Sequence, residues 1–221
     1  MTTRQPARYV ARQFGRPSGP VGHLVARMLA RGNAGFNRWL VDELSTDVPS
    51  PEMVMELGRG PGVALQELTK TYPEARIFGL DPSTVVLDSA RKRNAETIAT
   101  GRLQLLTGDI RQAANLGHAD LVLACHVIYF WTNPLDELRR IRESVALSGY
   151  LALGYQLRQH MPPISQRNFP AEGFILYDSD DELAAILEEA NFTRPEVRIF
   201  GDDHRPAGRL ALSSPQASSA T

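Results

Sequence analysis

The run from Val54 to Gly62, Val-Met-Glu-Leu-Gly-Arg-Gly-Pro-Gly, constrains this chain more than any other stretch. Its apolar start reads as a buried strand, its glycines at 58, 60 and 62 as a tight turn, and the following Val63-Ala-Leu-Gln-Glu-Leu-Thr-Lys as a helix with apolar residues at helical spacing. Glycine lets a backbone take positive φ and lets a ligand approach where a Cβ would stand. Pro61 stiffens the loop. A helix opening straight from such a turn leaves free N–H groups aimed at whatever lies over the glycines.

Around this unit, strands and helices alternate with the spacing of βαβ units. The pattern predicts strands at Met53–Leu57, Arg76–Leu80, Leu103–Thr107, Leu121–Cys125 and Gly149–Leu157. Helices are expected from 63 to Tyr72, from Ser83 to about Thr100, and over Pro134–Val145. Glu196–Phe200 and Arg209–Ser213, punctuated by Gly201 and Gly208, read as an antiparallel closing hairpin. Right-handed crossovers then bring the strand C-termini to one rim, where open α/β sheets bind ligands.

Those C-termini carry the chemistry. The second ends in Asp81-Pro82-Ser83, with the acid nineteen residues past Gly62, about the interval at which an acid accepts hydrogen bonds from a ribose. A helix N-cap is the plainer role for Asp81, and Ser83 can serve as that cap instead. The third ends in Gly108-Asp109-Ile110, where Asp109 also reads as an ordinary turn aspartate, and the fourth in Cys125-His126. Val63 removes the third glycine of the dinucleotide fingerprint, which counts against a nicotinamide-dependent oxidoreductase.

The pattern E-x-G-x-G-x-G resembles the first motif of the class I S-adenosylmethionine-dependent methyltransferases, and the later strand ends follow in the same order. Within that family the chain looks like the ubiquinone and menaquinone C-methyltransferase branch. The resemblance implies a Rossmann-like, seven-stranded, mostly parallel sheet with helices on both faces and an antiparallel C-terminal hairpin. It implies S-adenosyl-L-methionine as cofactor, with Glu56 near the amino-acid end, Gly58, Gly60 and Gly62 under the cofactor, and Asp81, Pro82 and Ser83 at the ribose. Gly108, Asp109 and Ile110 would border the adenine, with Val85 as a second wall, and Cys125 and His126 would lie under the donated methyl. Two departures stand out: Arg59, at a position often small or aromatic, and the dozen or so residues between strands three and four, which leave little room for a helix.

The 221 residues are expected to form one domain over 21–213, with helices over 21–47, a substrate loop at 158–178 and a disordered tail at 214–221. Residues 1–20 hold Arg4, Arg8, Arg12 and Arg16 but no acid, and read either as a solvated tail or as a lid whose contacts are Tyr9, Gln13 and Phe14. Val21, Leu24, Val25, Met28 and Leu29 form an apolar stripe. The net charge of −1 gives no basic field for nucleic acid. No run is long and apolar enough for a membrane span, and the lone Cys125 with no leader segment points to the cytoplasm. A small-molecule acceptor, no metal, and a monomer or homodimer complete the expectation.

Methyl transfer from a sulfonium is an in-line displacement in which charge is cancelled, so alignment and dryness matter most. A base is needed only when the acceptor must lose a proton. His126, Tyr129 and His160 are the catalytic candidates, with Tyr155 behind them. Each also has a plainer role: a locally satisfied helix-start histidine, a core aromatic, an exposed loop histidine. The alternative to an enzyme is a non-catalytic S-adenosylmethionine-binding regulator.

Overall fold

The computed structural model describes residues 4–15, 17–202 and 205–217. Its helices are α1 (Arg4–Gly15), α2 (Gly19–Gly32), α3 (Ala34–Asp47), α4 (Val63–Thr71), α5 (Leu87–Arg93), α6 (Ala95–Ala99), α7 (Ile110–Ala113), α8 (Pro134–Ser144), α9 (Pro163–Asn168) and α10 (Asp180–Glu189). The strands are β1 (Met53–Leu57), β2 (Arg76–Asp81), β3 (Leu103–Thr107), β4 (Ala119–Cys125), β5 (Val145–Tyr155), β6 (Glu196–Asp202) and β7 (Arg205–Ser213). They form one sheet in the order β3-β2-β1-β4-β5-β7-β6, parallel except for β7, which runs antiparallel to β5 and β6. The order reverses between β1 and β4, and such a switch point opens a crevice at the strand C-termini.

Both faces of the sheet's centre are covered, so β1, β2 and β4 are buried over most of their length, while the edge strand β6 keeps charged residues. Met55, Leu57, Phe78, Leu80, Val122 and Ala124 face the core built with α8 and α10. Val54, Ile77, Leu121 and Leu123 face the other core, with Leu40, Val41 and Leu44 of α3 and Leu65 and Leu68 of α4. Burying one such Leu or Val fully is worth about 1.5–3 kcal/mol. Glu56 shares a face with Val54 and therefore points toward α4. Its register partner on β2 is Gly79, whose partner on β3 is Leu105.

Several expectations shift. The helix foreseen from Ser83 starts at Leu87 and is broken at Asn94, whose Nδ2 donates to Gly62 O (3.1 Å) and Ala90 O (3.0 Å). The short β3–β4 link still holds α7 and a following 3-10 turn. β5 begins four residues before Gly149, where a bulge interrupts its pairing with β4. The 158–178 segment, too irregular in sequence to suggest an element, contains α9 and two 3-10 turns and buries Met161, Phe169, Leu176 and Tyr177. Residues 214–217 are tied down: Thr193 N donates to Ser214 O, and Gln216 N to Asn191 O. The expectation of disorder at 218–221 lies outside the described residues.

The α2 stripe is the largest departure. Val25 is buried, but Val21, Leu24 and Met28 are 39%, 68% and 53% exposed. α2 lies across the crevice instead of on the sheet, so only a narrow line of it meets protein. Ser179 caps α10 through Glu182 N (3.3 Å), while the Glu182 carboxylate accepts from Asp178 N (2.8 Å). Arg198 of β6 pairs with Asp47 at 2.7 Å and Glu43 at 3.3 Å, fixing α3 against the sheet edge.

Candidate active site

The crevice is a cavity of about 480 Å³. That lies within the range of small-molecule sites. Its floor is the glycine turn. Gly58, Gly60 and Gly62 all have positive φ (71°, 49° and 76°). At Gly58 the requirement is also steric, since a Cβ would fall 2.1 Å from Val127 Cγ1. Gly58 N and Arg59 N both donate to Leu80 O, at 2.8 and 3.1 Å, binding the turn to the end of β2. Gly62 has no side chain with which to cap α4, and in the helix's first turn the Leu65 N–H donates to the buried Glu56 carboxylate.

Asp81 is the node of the site. Its Oδ2 accepts from Gly60 N (2.8 Å), its Oδ1 from Ser83 N (2.8 Å), and its backbone carbonyl from Gly108 N (3.1 Å). Burial pushes its pKa up despite the Ser83 and Gly60 amides and the Arg59 charge. Glu56 is buried with Oε2 unpartnered among the described residues, and burial pushes its pKa up to about 8, opposed by the Arg59 charge. Arg59 is itself buried with all three guanidinium nitrogens unpartnered among the described residues. Burial lowers its pKa, and Asp81 and then Glu56 counter that.

At the third strand end, Gly108, Asp109 and Ile110 reach the cavity. Asp109 is held by Arg111 N (3.0 Å) and faces the Arg111 Nε at 3.6 Å. The wall opposite is Val86, one residue beyond the expected Val85, because the chain makes a turn before α5 begins. Ser83 stands outside the lining: its Oγ donates to Pro17 O (3.2 Å).

Cys125 and His126 close the β4 side of the cavity. Cys125 Sγ lies 3.1 Å from Asn37 Oδ1, and burial raises its pKa, so it stays a thiol. His126 has φ 56°, uncommon for a residue with a Cβ, while its N–H donates to Gly154 O at 2.7 Å. Burial lowers its pKa to about 4, so the imidazole is neutral near pH 7. Its ring packs 5.0 Å from Phe36.

Two catalytic candidates do not reach the cavity. Tyr129 is buried beside it, its hydroxyl bonded to the backbone of Gln156. His160 lies in a 3-10 turn past β5 and is also absent from the lining. Tyr155 donates its hydroxyl to Asp180 (2.7 Å).

The roof joins two of the three residues named for an N-terminal lid, Gln13 and Phe14, to others that the sequence did not mark out. Gln13, Phe14, Gly15 and Pro17 line the cavity from the N-terminal segment, whereas Tyr9 points to solvent. Arg12 pairs with Glu172 (2.9 Å), and the Phe14 and Phe169 rings meet edge to face at 5.7 Å. Asn33 and Asn37, four apart in sequence, also line the cavity, and the Asn37 amide meets Cys125. That spacing was the one signal for them in the sequence. Arg111 and Glu137 complete the charged rim, with the Glu137 pKa raised chiefly by burial.

Residues 54–149 match the methyltransferase domain family. The chain is 31% identical over 166 residues to malonyl-[acyl-carrier protein] O-methyltransferase of Priestia megaterium, covering 68% of this chain and 58% of that one. It is 29% identical over 162 residues to trans-aconitate 2-methyltransferase of Rhodopseudomonas palustris, covering 71% and 57%. The chain thus spans a little over half the length of these relatives. Its fold matches the plantazolicin methyltransferase BpumL, solved with S-adenosylhomocysteine, at a TM-score of 0.70, with 14% identity and 96% of both chains covered. Neither relative bears a quinone methyltransferase name, and that branch stays a resemblance only. Over residues 54–149 the chain thus carries a methyltransferase domain of the class I S-adenosylmethionine-dependent family, whose cofactor is S-adenosyl-L-methionine.

Proposed function

We propose that this protein transfers a methyl group from S-adenosylmethionine to a small organic acceptor. One observation carries the reading: the glycine turn, Asp81 and Asp109 share a single cavity with an unpartnered Glu56 oxygen. The residues present fit the cofactor. Asp81 has a second lone-pair direction free on each oxygen for ribose hydroxyls. Glu56 Oε2 suits an ammonium, and the open backbone at Gly58 suits close approach. Asp109, Ile110 and Val86 would border the base.

When bound, the cofactor supplies an electrophilic methyl on a cationic sulfur. Glu56, Asp81 and Asp109 would hold it so that its methyl could pass to an acceptor lone pair, with the carbon–sulfur electron pair leaving on sulfur. This chain's part is to hold the two reactants in line and keep water out, which can be worth about 7–11 kcal/mol of barrier. Phe14, Gly15 and Phe130 do the excluding at the roof. Neutral His126 is placed to take a proton from an acceptor that must lose one. A carboxylate acceptor, the type named in the two relatives, would need no base. Arg12, Phe14 and the Ser83 bond to Pro17 support a lid role for the N-terminal segment.

The test is calorimetric titration with S-adenosylmethionine, then turnover of the methyl donor in a panel that begins with small carboxylic acids. Micromolar binding together with turnover of some acceptor is the expected result. Tight binding without turnover of any acceptor favours a regulatory role, and no binding at all sinks the proposal.

A further inference from the structure

Arg59 stands between the first two glycines of the turn, and its stem lies across β2. The Cδ is 2.9 Å from where a Cβ on Gly79 would be. Gly79 pairs with Glu56 on one side and Leu105 on the other, and Asp81 follows two residues along the same strand face. Arg59 therefore lies over the strand position between the two acids, and the absence of a side chain at Gly79 makes room for it. With 2% exposure and no hydrogen-bond partner for Nε, Nη1 or Nη2 among the described residues, the guanidinium is a buried cation that acts through its field.

We propose that Arg59 sets the charge selectivity of the cofactor cavity, holding down its preference for the sulfonium donor over the thioether product. The inference rests on the cofactor reading above. Donor and product share the nucleoside, the ammonium and the carboxylate, and differ by one methyl and one positive charge on sulfur. Glu56 and Asp81 draw that charge in, and Arg59 offsets them. The product then competes well against the donor, so turnover follows the ratio of the two rather than the donor concentration alone.

The test is the ratio of product to donor dissociation constants, S-adenosylhomocysteine over S-adenosylmethionine, by calorimetry at one pH. Arg59→Met should move the ratio about tenfold toward the donor, the size expected for a unit charge roughly 10 Å away at an effective dielectric near 20. Arg59→Lys, which keeps the charge, should stay within about twofold of the wild type on the same Coulomb argument. Because loss of Arg59 favours protonation of Glu56, the comparison is repeated between Glu56→Gln and Glu56→Gln/Arg59→Met. A shift in that background alone also supports the proposal. A ratio unchanged in both backgrounds overturns it, as does an equal shift in Arg59→Lys. Loss of both ligands in the wild type overturns the cofactor reading itself, and this inference with it.

Discussion

Asp81 braces the turn that follows the first strand, its Oδ2 accepting the Gly60 amide at 2.8 Å. The same carboxylate accepts Ser83 N, so one side chain fixes two loops that reach the cavity. Asp81→Ala should weaken S-adenosylmethionine binding by more than about tenfold, since hydrogen bonds to a charged group contribute about 1.5–3 kcal/mol. Losing the two internal bonds should also lower stability by about 1–3 kcal/mol. Calorimetry and denaturant unfolding report the two effects separately, and unchanged affinity would remove Asp81 from the cofactor site.

Glu56 makes both stability and binding depend on pH. Its pKa is raised from 4.5 to about 8, first by burial. Between those values the folded protein holds a proton that the unfolded chain releases. The Glu56 contribution to stability is therefore fully present below about pH 4.5 and is lost as pH rises through about 8. The slope is at most about 1.4 kcal/mol per pH unit. An ammonium beside Glu56 favours the ionised form, so donor affinity should climb from pH 6 to pH 8. Glu56→Gln should flatten both trends, and proton release measured in buffers of different ionisation enthalpy checks the second.

Gly79 is filled by other side chains. A Cβ there would stand 2.7 Å from Leu65 Cδ1 and 2.9 Å from Arg59 Cδ. Gly79→Ala should cost about 1–3 kcal/mol in urea unfolding, the usual range for overpacking. An alanine tolerated without loss would mean that the Arg59 stem moves freely.

The roof is held by modest contacts. An exposed ion pair such as Arg12–Glu172 contributes about 0–1 kcal/mol, and an aromatic pair such as Phe14–Phe169 about 0.5–1.5 kcal/mol. Phe14→Ala should raise tryptic cleavage at Arg12 several-fold, and bound S-adenosylhomocysteine should slow cleavage of the wild type. Cleavage indifferent to both would leave the segment as a fixed part of the wall.

Most of the sheet was legible because strand and turn signals are local. β1 and β3 match their expected limits, whereas in the β6–β7 hairpin β6 runs on to Asp202 and β7 starts at Arg205 rather than Arg209, so Gly201 and Gly208 lie within the paired strands instead of bounding them. Glu56, Asp81, Asp109 and His126 line one cavity for the same reason: each stands at or just past the end of a strand, and parallel topology gathers those ends. Tyr129 was misjudged because it is only three residues past His126, yet its hydroxyl turns inward to the Gln156 backbone. Direction after a strand depends on which neighbour offers a partner, and no periodicity encodes that.

The chain's own order of residues determined the parallel sheet, the glycine turn and the acids at the strand ends, because hydrophobic period and glycine placement act over a few residues. Tertiary structure decided the rest. It turned the apolar face of α2 partly to solvent, laid Arg59 across Gly79 between two acids, and brought Asn33 and Asn37 into the wall of the cavity. These outcomes depend on space left by residues distant in sequence, and close packing assigns that space only once the whole core is assembled.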